Sequence, residues 1–345
     1  MHSDDIYIVK NRDVIGLLSG HESEVVEAVA EAYRTHAAQQ SSLPHSLFLR
    51  FPDGPRNRII ALPAYLGGEF GVAGMKWVAS FPDNITKGLE RASAVVVLNS
   101  PETGRPYAFI EGSAISAKRT AASAALAARA LKNGHGVSAA ALVGCGLINF
   151  EIARFLLNTC PGIKRFTLFD VDLARAEQLK EKCSETFAGV EVEVAPDVKT
   201  ALSSAPLISL ATTAITPHIS DLSACVPDAT VLHVSLRDLT PEAILSCDNV
   251  VDDIDHVCRA QTSVHLAEQL SGERDFIRCT LADVLTGAAA PRKGDGSIAV
   301  FSPFGLGVLD LALAKVVYEH AVEQGVGEVI DSFLPESWSA EDQVA

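Results

Sequence analysis

The sequence predicts an α/β protein in which a parallel-sheet domain is inserted into an α+β domain. From about residue 132 to 302, short apolar segments alternate with helical segments, and this rhythm is typical of right-handed βαβ units and a parallel sheet. Residues 1–131 and 303–345 lack it. We expect these flanking segments to form one domain, with the C-terminal helices returning to it after the inserted domain ends.

The first segment combines helical and extended patterns. Apolar residues recur at helical spacing over 22–38, whereas residues 58–64, 71–80 and 94–99 are apolar or alternating and are separated by Gly, Pro and Asn. Residues 116–131 are rich in alanine, which predicts a long buried helix. These patterns indicate a sheet with helices packed against it.

The inserted segment begins with a strand, a glycine-containing turn and a helix. The further short apolar runs predict more strands of one parallel sheet. The predicted strands lie at 138–143, 164–169, 190–195, 207–211, 230–234 and 249–251. Helices are predicted at 147–157 and 173–187, which gives a Rossmann-like order of elements.

Composition excludes several classes of function. The formal net charge of −15 disfavours binding to nucleic acid or to an anionic membrane, since both require clustered Lys and Arg. No apolar run approaches the roughly 20 residues of a membrane span. The seven cysteines include no CxxC pair, and no metal-binding motif occurs. We therefore expect a cytoplasmic protein with reduced thiols and without a bound metal.

A dinucleotide-binding motif is predicted where the first strand of the inserted domain ends. Gly144 suits the tight turn, and Gly146 lets a pyrophosphate approach the start of the helix, beside Leu147 and Ile148. Asn149 replaces the usual third glycine. Asp170 ends the next strand, where a carboxylate binds the adenosine ribose hydroxyls and repels a 2′-phosphate. The motif predicts NAD rather than NADP as the cofactor.

Small hydroxyl side chains follow two later strands of the same predicted sheet. Thr212 and Thr213 follow the strand at 207–211, and Ser235 follows the strand at 230–234. We expect Thr212 and Thr213 to line the nicotinamide side of the cofactor site, and Ser235 to be a further cofactor-binding residue.

Several motifs spread along the chain resemble those of the ornithine cyclodeaminase/μ-crystallin family. The motifs are GMKWV at 74–78, NSPETGRPYA at 99–108, AKRTAA at 117–122, VGCGLI at 143–148 and SPFGLGVLD at 302–310. The resemblance covers nearly the whole chain. It implies a Rossmann-like domain inserted in a substrate and dimerisation domain, an amino-acid substrate, and a homodimer that pairs through the sheet of the first domain.

Within this family the chain is most similar to enzymes of 2,3-diaminopropionate biosynthesis, which serve siderophore or antibiotic pathways. The RIIALP segment at 58–63 and the ERAS segment at 90–93 contribute to this similarity. Such an enzyme oxidises N-(1-amino-1-carboxy-2-ethyl)glutamate with NAD, and hydrolysis then releases 2-oxoglutarate and 2,3-diaminopropionate. Cyclodeaminases carry a catalytic aspartate in an Asp-Cys-Pro-Gly segment, where this chain has HVSLRD at 233–238. Ring closure of ornithine is therefore disfavoured.

The resemblance also implies which side chains bind the substrate. Arg50, Lys76 and Arg119 are expected to face carboxylates, because guanidinium and ammonium groups pair with them. Arg91 is expected to add a contact or to form a surface pair. Asp310 is expected to hold the nicotinamide side or the substrate ammonium, or else to be a first-turn helix carboxylate.

The chemistry requires a base for the substrate nitrogen and an activated water for hydrolysis. Lys76 fits either role if burial lowers its pKa, and Glu111 and Asp238 are the carboxylate candidates. Two alternatives remain open. One is another activity of the family, such as an alanine or ketimine dehydrogenase or a cyclodeaminase. The other is a non-catalytic, μ-crystallin-like protein that binds a nucleotide and a small ligand.

Overall fold

Two β-sheets organise the chain, one mainly antiparallel and one with parallel strand pairs. The structure is a computed structural model that describes residues 4–131, 136–294 and 296–335. It divides into two compact units. Unit 1 takes its described residues from Met1–His21, Ala38–Arg119 and Gly307–Ala345, and unit 2 from Glu22–Ala37 and Thr120–Leu306. The α/β class with an inserted Rossmann-like domain is confirmed.

Unit 1 contains a sheet of eight of the described strands. Its strands are β1 (Ile6–Val9), β2 (Ser41–Ser42), β3 (Leu47–Phe51), β4 (Gly54–Leu66), β5 (Val72–Ser80), β6 (Ala92–Asn99), β7 (Pro106–Glu111) and β16 (Glu328–Ile330). Its helices are α1 (Asn11–Leu18), a 3₁₀ helix (Pro82–Lys87), the first part of α3 (Gly112–Ala130) and α11 (Gly307–Gln324). The order is β16-β1-β7-β6-β5-β4-β2, with β3 also paired to β4.

The register of this sheet decides which side chains share a face. Lys76 on β5 lies directly opposite Leu62 on β4 and Val96 on β6, so the three share what we call the inner face. The neighbouring Trp77 lies opposite Ala61 and Val95 on the other side, the outer face.

Helix α11 lies across the inner face. A Cβ at Gly74 would stand 2.2 Å from the Val97 carbonyl oxygen and 3.1 Å from the Leu311 side chain. A glycine is needed here because a Cβ would clash with the backbone of β6, and the Leu311 side chain of α11 also packs closely against this position. This close approach places the first turn of α11 beside Lys76.

Unit 2 contains the parallel sheet. Its strands are β8 (Ala139–Val143), β9 (Arg165–Phe169), β10 (Glu191–Val194), β11 (Leu207–Leu210), β12 (Thr230–His233), β13 (Asp248–Val251), β14 (Ile277–Thr280) and β15 (Ala299–Ser302). Its helices are α2 (Glu22–Ala37), the rest of α3, α4 (Leu147–Thr159), α5 (Leu173–Thr186), α6 (Val198–Ser203), α7 (Pro241–Leu245), α8 (Ile254–Val257), α9 (Ser263–Ser271) and α10 (Leu281–Thr286).

The strand order of unit 2 is β10-β9-β8-β11-β12-β15-β13-β14. The chain therefore reverses direction across the sheet between β8 and β11, and in parallel sheets ligands bind at the carboxyl ends of the strands at such a point. The central strands β8, β11 and β12 are buried along their length, as expected for a sheet that is covered on both faces.

The six strands predicted from sequence are present in unit 2, with bounds shifted by at most one residue at either end. Strands β14 and β15 were not predicted, and β15 pairs between β12 and β13, out of sequence order. Among residues 303–335 the structure has one helix and the short strand β16, where only helices were predicted. β16 forms because it pairs with the distant β1.

Helix α2 groups with unit 2, whereas the sequence pattern placed it in the first domain. The Tyr33 hydroxyl lies 2.7 Å from the Ser123 hydroxyl, and the His36 Nε2 atom lies 3.2 Å from the Asp253 carboxylate. These contacts join residues that are far apart in sequence, and they account for the grouping. No helix among the described residues has the length and apolar character needed to cross a membrane.

Asn149 stands where the dinucleotide motif usually has its third glycine, and its side chain forms hydrogen bonds there. Its Nδ2 donates to the carbonyl oxygens of Val143 (2.9 Å) and Gly144 (2.7 Å). Its Oδ1 accepts from the Ser209 hydroxyl at 2.7 Å, and the side chain is fully buried. The asparagine thus ties α4 to the end of β8 and to β11, so the departure from the glycine pattern leaves the turn well anchored.

We predict that Asn149→Ala lowers the free energy of unfolding by about 1–3 kcal/mol, because it leaves buried polar groups without their partner. Urea unfolding followed by circular dichroism measures the change. Asn158→Ala is the matched control, since Asn158 lies exposed on the same helix, and it should change stability by less than about 0.5 kcal/mol. Equal losses in the two variants would contradict the role assigned to Asn149.

Candidate active site

Three charged side chains from three separate elements of unit 1 meet on the inner face. Lys76 comes from β5, Arg119 from α3 and Asp310 from the first turn of α11. The Lys76 Nζ atom lies 2.7 Å from Asp310 Oδ2, and Arg119 Nε donates to Asp310 Oδ1 at 3.0 Å. Lys76 also donates to the Ser116 hydroxyl at 3.2 Å. We call Lys76, Arg119 and Asp310 the buried triad.

The triad has an excess of positive charge. Lys76 is 3% exposed and Asp310 is 0% exposed, so water screens these charges little. Within the described part of the chain, one carboxylate pairs with the two cations. Asp310 lies in the first turn of its helix, where the helix dipole favours negative charge. The arrangement is suited to binding one further anion, such as a substrate carboxylate.

Burial also prepares Lys76 for proton transfer. It lowers the pKa of the Lys76 ammonium to about 8, because desolvation outweighs the attraction of Asp310, and the neighbouring Arg119 adds repulsion. A lysine with this pKa exchanges its proton near neutral pH. The triad therefore combines an anion site with a candidate base.

Glu111, a predicted base, is not brought to the triad. By register it lies opposite Val95, on the outer side of the sheet from Lys76. Its carboxylate accepts hydrogen bonds from the backbone amides of Ser113 (2.7 Å) and Ala114 (3.3 Å), and from Asn11 Nδ2 at 2.8 Å. Glu111 therefore caps the start of α3, the helix that carries Ser116 and Arg119, which gives it a positioning role.

The other predicted arginines lie further along the inner face. Arg50 on β3 is exposed and stands directly opposite Arg58 on β4. Arg91 precedes β6, and its Nη1 donates to the Ser80 hydroxyl at 3.2 Å. Arg58 was not singled out from the sequence, because its position opposite Ser80 depends on strand register.

In unit 2 the glycine turn leaves an open approach to the start of α4. Gly144 adopts a φ of 91°, and a Cβ there would lie 2.5 Å from the Ala211 carbonyl oxygen. Gly146 is the N-cap residue that precedes α4, so the helix has no side-chain cap at this end. The nearest atom to a Cβ built at Gly146 would be Arg175 Nη2 at 3.7 Å. The uncapped amides and the open space fit a phosphate group, and Arg175 is a cation near this position that the sequence motif did not reveal.

Asp170 lies beside this turn, as predicted. Its Oδ2 accepts from the Cys145 amide at 2.7 Å, and its Oδ1 accepts from the Asp172 amide at 3.0 Å. Each carboxylate oxygen has a second lone pair for a hydroxyl donor. Leu147 is half exposed and Ile148 is partly buried at the start of α4, so the predicted cofactor-binding residues cluster at the carboxyl ends of β8 and β9.

Thr212, Ser235 and Asp238 form a network at the carboxyl ends of β11 and β12, whereas Thr213 is exposed. The hydroxyls of Thr212 and Ser235 both donate to the Asp238 carboxylate, which is fully buried. The Asp238 amide donates to His233 Nε2 at 3.1 Å, and His233 Nδ1 lies 3.2 Å from the Ser302 hydroxyl. This network fixes the loop that follows β12.

The surroundings of Asp238 favour a positioning role over that of a base. Burial alone would raise the pKa of its carboxyl, but the His233 ring and the two hydroxyls outweigh burial and hold this pKa below its usual value. Leu236, within the same loop, adopts a φ of 70°, which is strained for a non-glycine residue. We infer that Asp238 holds the Thr212 and Ser235 hydroxyls in place.

Residues 8–325 match the model of the ornithine cyclodeaminase/mu-crystallin family. The chain belongs to this family. It is similar to the N-((2S)-2-amino-2-carboxyethyl)-L-glutamate dehydrogenase of Staphylococcus aureus, with 29% identity over 96% of this chain and 100% of that protein. It is also similar to the alanine dehydrogenase of Archaeoglobus fulgidus, with 30% identity over 94% of this chain and 98% of that protein.

A solved structure agrees with this membership. An archaeal alanine dehydrogenase dimer with bound NAD superimposes with a TM-score of 0.84 at 28% identity, covering 95% of this chain and 99% of the other. The family resemblance that the sequence motifs predicted is thus confirmed. The family members named here carry out two different reactions, so the triad and its surroundings must indicate the reaction of this chain.

Proposed function

We propose that this chain is an NAD-dependent dehydrogenase that oxidises the CH–NH group of an amino-acid substrate. The observation that carries the proposal is the buried triad, in which Lys76 and Arg119 share the Asp310 carboxylate and burial lowers the pKa of Lys76 to about 8. A binding protein without catalysis has no need for a buried amine that can exchange its proton. The similarity to dehydrogenases over nearly the whole chain supports the same class of reaction.

The residues of unit 2 fit the cofactor. Gly146 and the uncapped start of α4 would hold the pyrophosphate, and Asp170 would hold the adenosine ribose. Thr212 and Ser235 would line the nicotinamide side, with their hydroxyls fixed by Asp238. When bound, NAD supplies the acceptor for the hydride that leaves the substrate carbon.

The residues of the triad would handle the charges and the proton. The two Nη nitrogens of the Arg119 guanidinium would bind a substrate carboxylate while its Nε donates to Asp310. Neutral Lys76 would accept the proton of the substrate nitrogen as the C–H bond is oxidised to an imine. The protonated lysine would return this proton to the nitrogen of the departing amine. Neutral again, it would accept a proton from the water molecule that attacks the imine carbon.

For the substrate we propose N-(2-amino-2-carboxyethyl)-glutamate, the compound named N-(1-amino-1-carboxy-2-ethyl)glutamate above. Oxidation at the glutamate Cα and hydrolysis yield 2-oxoglutarate and 2,3-diaminopropionate, a building block for a siderophore or an antibiotic. The match to the Staphylococcus aureus dehydrogenase over its whole length supports this choice. A simple alanine dehydrogenase is the second candidate, favoured by the 30% identity to the archaeal enzyme.

We further propose that the protein is a homodimer formed through the outer face of the unit 1 sheet. Trp77 and Tyr65 on this face are each 39% exposed, and partly buried apolar residues such as Met75, Val95 and Val97 surround Trp77 by register. An apolar sheet face of this kind is stabilised when a second copy covers it. The archaeal alanine dehydrogenase of similar structure is a dimer.

We predict that the purified enzyme, given NAD and N-(2-amino-2-carboxyethyl)-glutamate, forms NADH, 2-oxoglutarate and 2,3-diaminopropionate in equal amounts. Absorbance at the NADH band and chromatography of the amine and keto acid measure the three products. L-Alanine and L-ornithine are the comparison substrates. Faster NADH formation from alanine would favour the second candidate, and proline formed from ornithine without net NADH would refute the dehydrogenase proposal.

We predict that Asp170→Asn lowers the preference for NAD over NADP at least about tenfold in kcat/KM. The change removes the charge that repels a 2′-phosphate and weakens a charge-assisted bond, and such a bond contributes about 1.5–3 kcal/mol. Steady-state rates with each cofactor give the ratio. The control is Asp172→Asn, which alters a neighbouring carboxylate that caps α5. An unchanged ratio in Asp170→Asn would show that Asp170 does not select the cofactor.

We predict that Trp77→Glu converts the dimer to a monomer at micromolar concentration, because the charge would be buried in the proposed interface. Light scattering after size-exclusion chromatography should change from twice the 36.5 kDa chain mass to that mass itself. Ile15→Glu is the control, since Ile15 on α1 is also an exposed apolar residue of unit 1, with 48% exposure. A wild-type monomer, or dissociation by both variants alike, would contradict this interface.

A further inference from the structure

A second group of cations lies on the inner face of unit 1, apart from the triad. Arg50 and Arg58 stand directly opposite each other on β3 and β4. Arg58 is in turn directly opposite Ser80 on β5. Arg91 donates to the Ser80 hydroxyl at 3.2 Å. Three arginines therefore occupy neighbouring positions near Ser80 on this face, and we call Arg50, Arg58 and Arg91 the arginine row.

This row brings like charges close together on one face of the sheet. Like charges directly opposite on a sheet destabilise it, so Arg50 and Arg58 repel each other. In the described ranges no carboxylate lies within ion-pair distance of Arg50 or Arg91. The nearby Asp83 is paired with Arg56. Arg91 is partly buried, and burial lowers the pKa of its guanidinium. An anion placed among these arginines would relieve the repulsion.

The distance from the triad to the row suits a substrate with two carboxylates. Ser80 lies four residues beyond Lys76 on the same strand and face, which corresponds to about 13 Å. The α- and γ-carboxyl carbons of a glutamate skeleton are about 5 Å apart when extended, and lysine and arginine side chains reach about 6–7 Å. If Lys76 and the arginines of the row extend toward each other along the strand, they can therefore bind both carboxylates of one molecule.

The surface between the two groups is apolar. Val78 on β5 lies between Lys76 and Ser80, and Ile60 on β4 lies opposite Val78. Both are partly buried and share the inner face. These side chains would contact the methylene groups between the two carboxylates and leave the charged ends to the arginines and the lysine.

We propose that Arg58 and Arg91, oriented about Ser80, form a subsite for the distal γ-carboxylate of the substrate's glutamate portion. The triad then holds the α-carboxylate at the reacting carbon, and exposed Arg50 flanks the subsite. The assignment rests on the proposed function and makes the arginine row the feature that selects a dicarboxylic substrate over alanine or proline.

Binding of the keto-acid product tests the subsite without requiring turnover. Protein saturated with NADH is titrated by calorimetry with 2-oxoglutarate and with 2-oxobutyrate, which lacks the distal carboxylate. The wild type should bind 2-oxoglutarate about 10- to 100-fold more tightly, the ratio expected for one charge-assisted contact. Arg58→Gln and Arg91→Gln should each reduce this ratio while leaving 2-oxobutyrate affinity within about threefold.

Arg56→Gln is the matched control, because it is the same substitution on the same strand but lies exposed and paired with Asp83. It should keep the wild-type ratio. Equal affinities of the wild type for the two keto acids would overturn the subsite, as would variants that weaken both ligands equally, since such losses are structural. A preserved ratio in both variants would also refute it.

Activity separates this proposal from the proposed function. If the wild type discriminates between the keto acids but does not oxidise N-(2-amino-2-carboxyethyl)-glutamate, the subsite stands and the substrate assignment fails. The second outcome uses an analogue in which 2-aminobutyrate replaces glutamate, so that the distal carboxylate is absent. If the wild type oxidises N-(2-amino-2-carboxyethyl)-glutamate, but Arg58→Gln lowers kcat/KM by the same factor for this substrate and for the analogue, the substrate stands and the subsite fails.

Discussion

The paired interaction of Asp310 with Lys76 and Arg119 is the constraint on which the candidate active site depends. Lys76 and Arg119 are buried close enough together to contact the same carboxylate. Without Asp310 between them, repulsion between the two cations would disrupt this arrangement. Asp310 neutralises one of the two charges and leaves the other for a substrate anion. Its attraction also keeps the Lys76 pKa from falling further below about 8.

Much of unit 1 serves to place this carboxylate. Gly74 leaves room for the β6 backbone and for the Leu311 side chain, and Gly307 at the start of α11 lies against Leu62 of β4, so that the first turn of α11 reaches Lys76. Glu111 caps the start of α3 and thereby fixes the helix that carries Arg119. In unit 2, Asp238 accepts hydrogen bonds from the Thr212 and Ser235 hydroxyls and so fixes their positions. Glu111 and Asp238 have the chemistry of bases, but both position other residues of the site.

Local patterns in the sequence were sufficient for the parallel sheet and the glycine turn. Strands such as β8 and β11 are short, apolar and buried on both faces, so their composition reveals them. Asp170 was identified because its distance from the turn follows from the length of one βαβ unit. Lys76 and Arg119 were identified through motifs of the family, although their shared contact with Asp310 joins residues 191 positions apart.

Features that depend on register or on distant contacts could not be predicted. Arg58 looks like an ordinary strand residue until its pairing with Ser80 and Arg50 is known. Glu111 has the right chemistry for a base, but the alternation of the sheet puts it on the face opposite Lys76. Helix α2 joins unit 2 through Tyr33 and His36, whose partners lie beyond residue 120. None of these contacts produces a periodic pattern in the sequence from which it could be predicted.

The pH dependence of kcat/KM in the wild type and in Asp310→Asn tests the triad most directly. A base must be unprotonated, so wild-type kcat/KM should rise with pH and level off above about 8, the pKa of Lys76. Asp310 raises this pKa by attracting the ammonium, so its removal should shift the rise to lower pH. Lys76→Met should lose the rise. An unshifted profile in Asp310→Asn, or a rise that persists in Lys76→Met, would contradict the account.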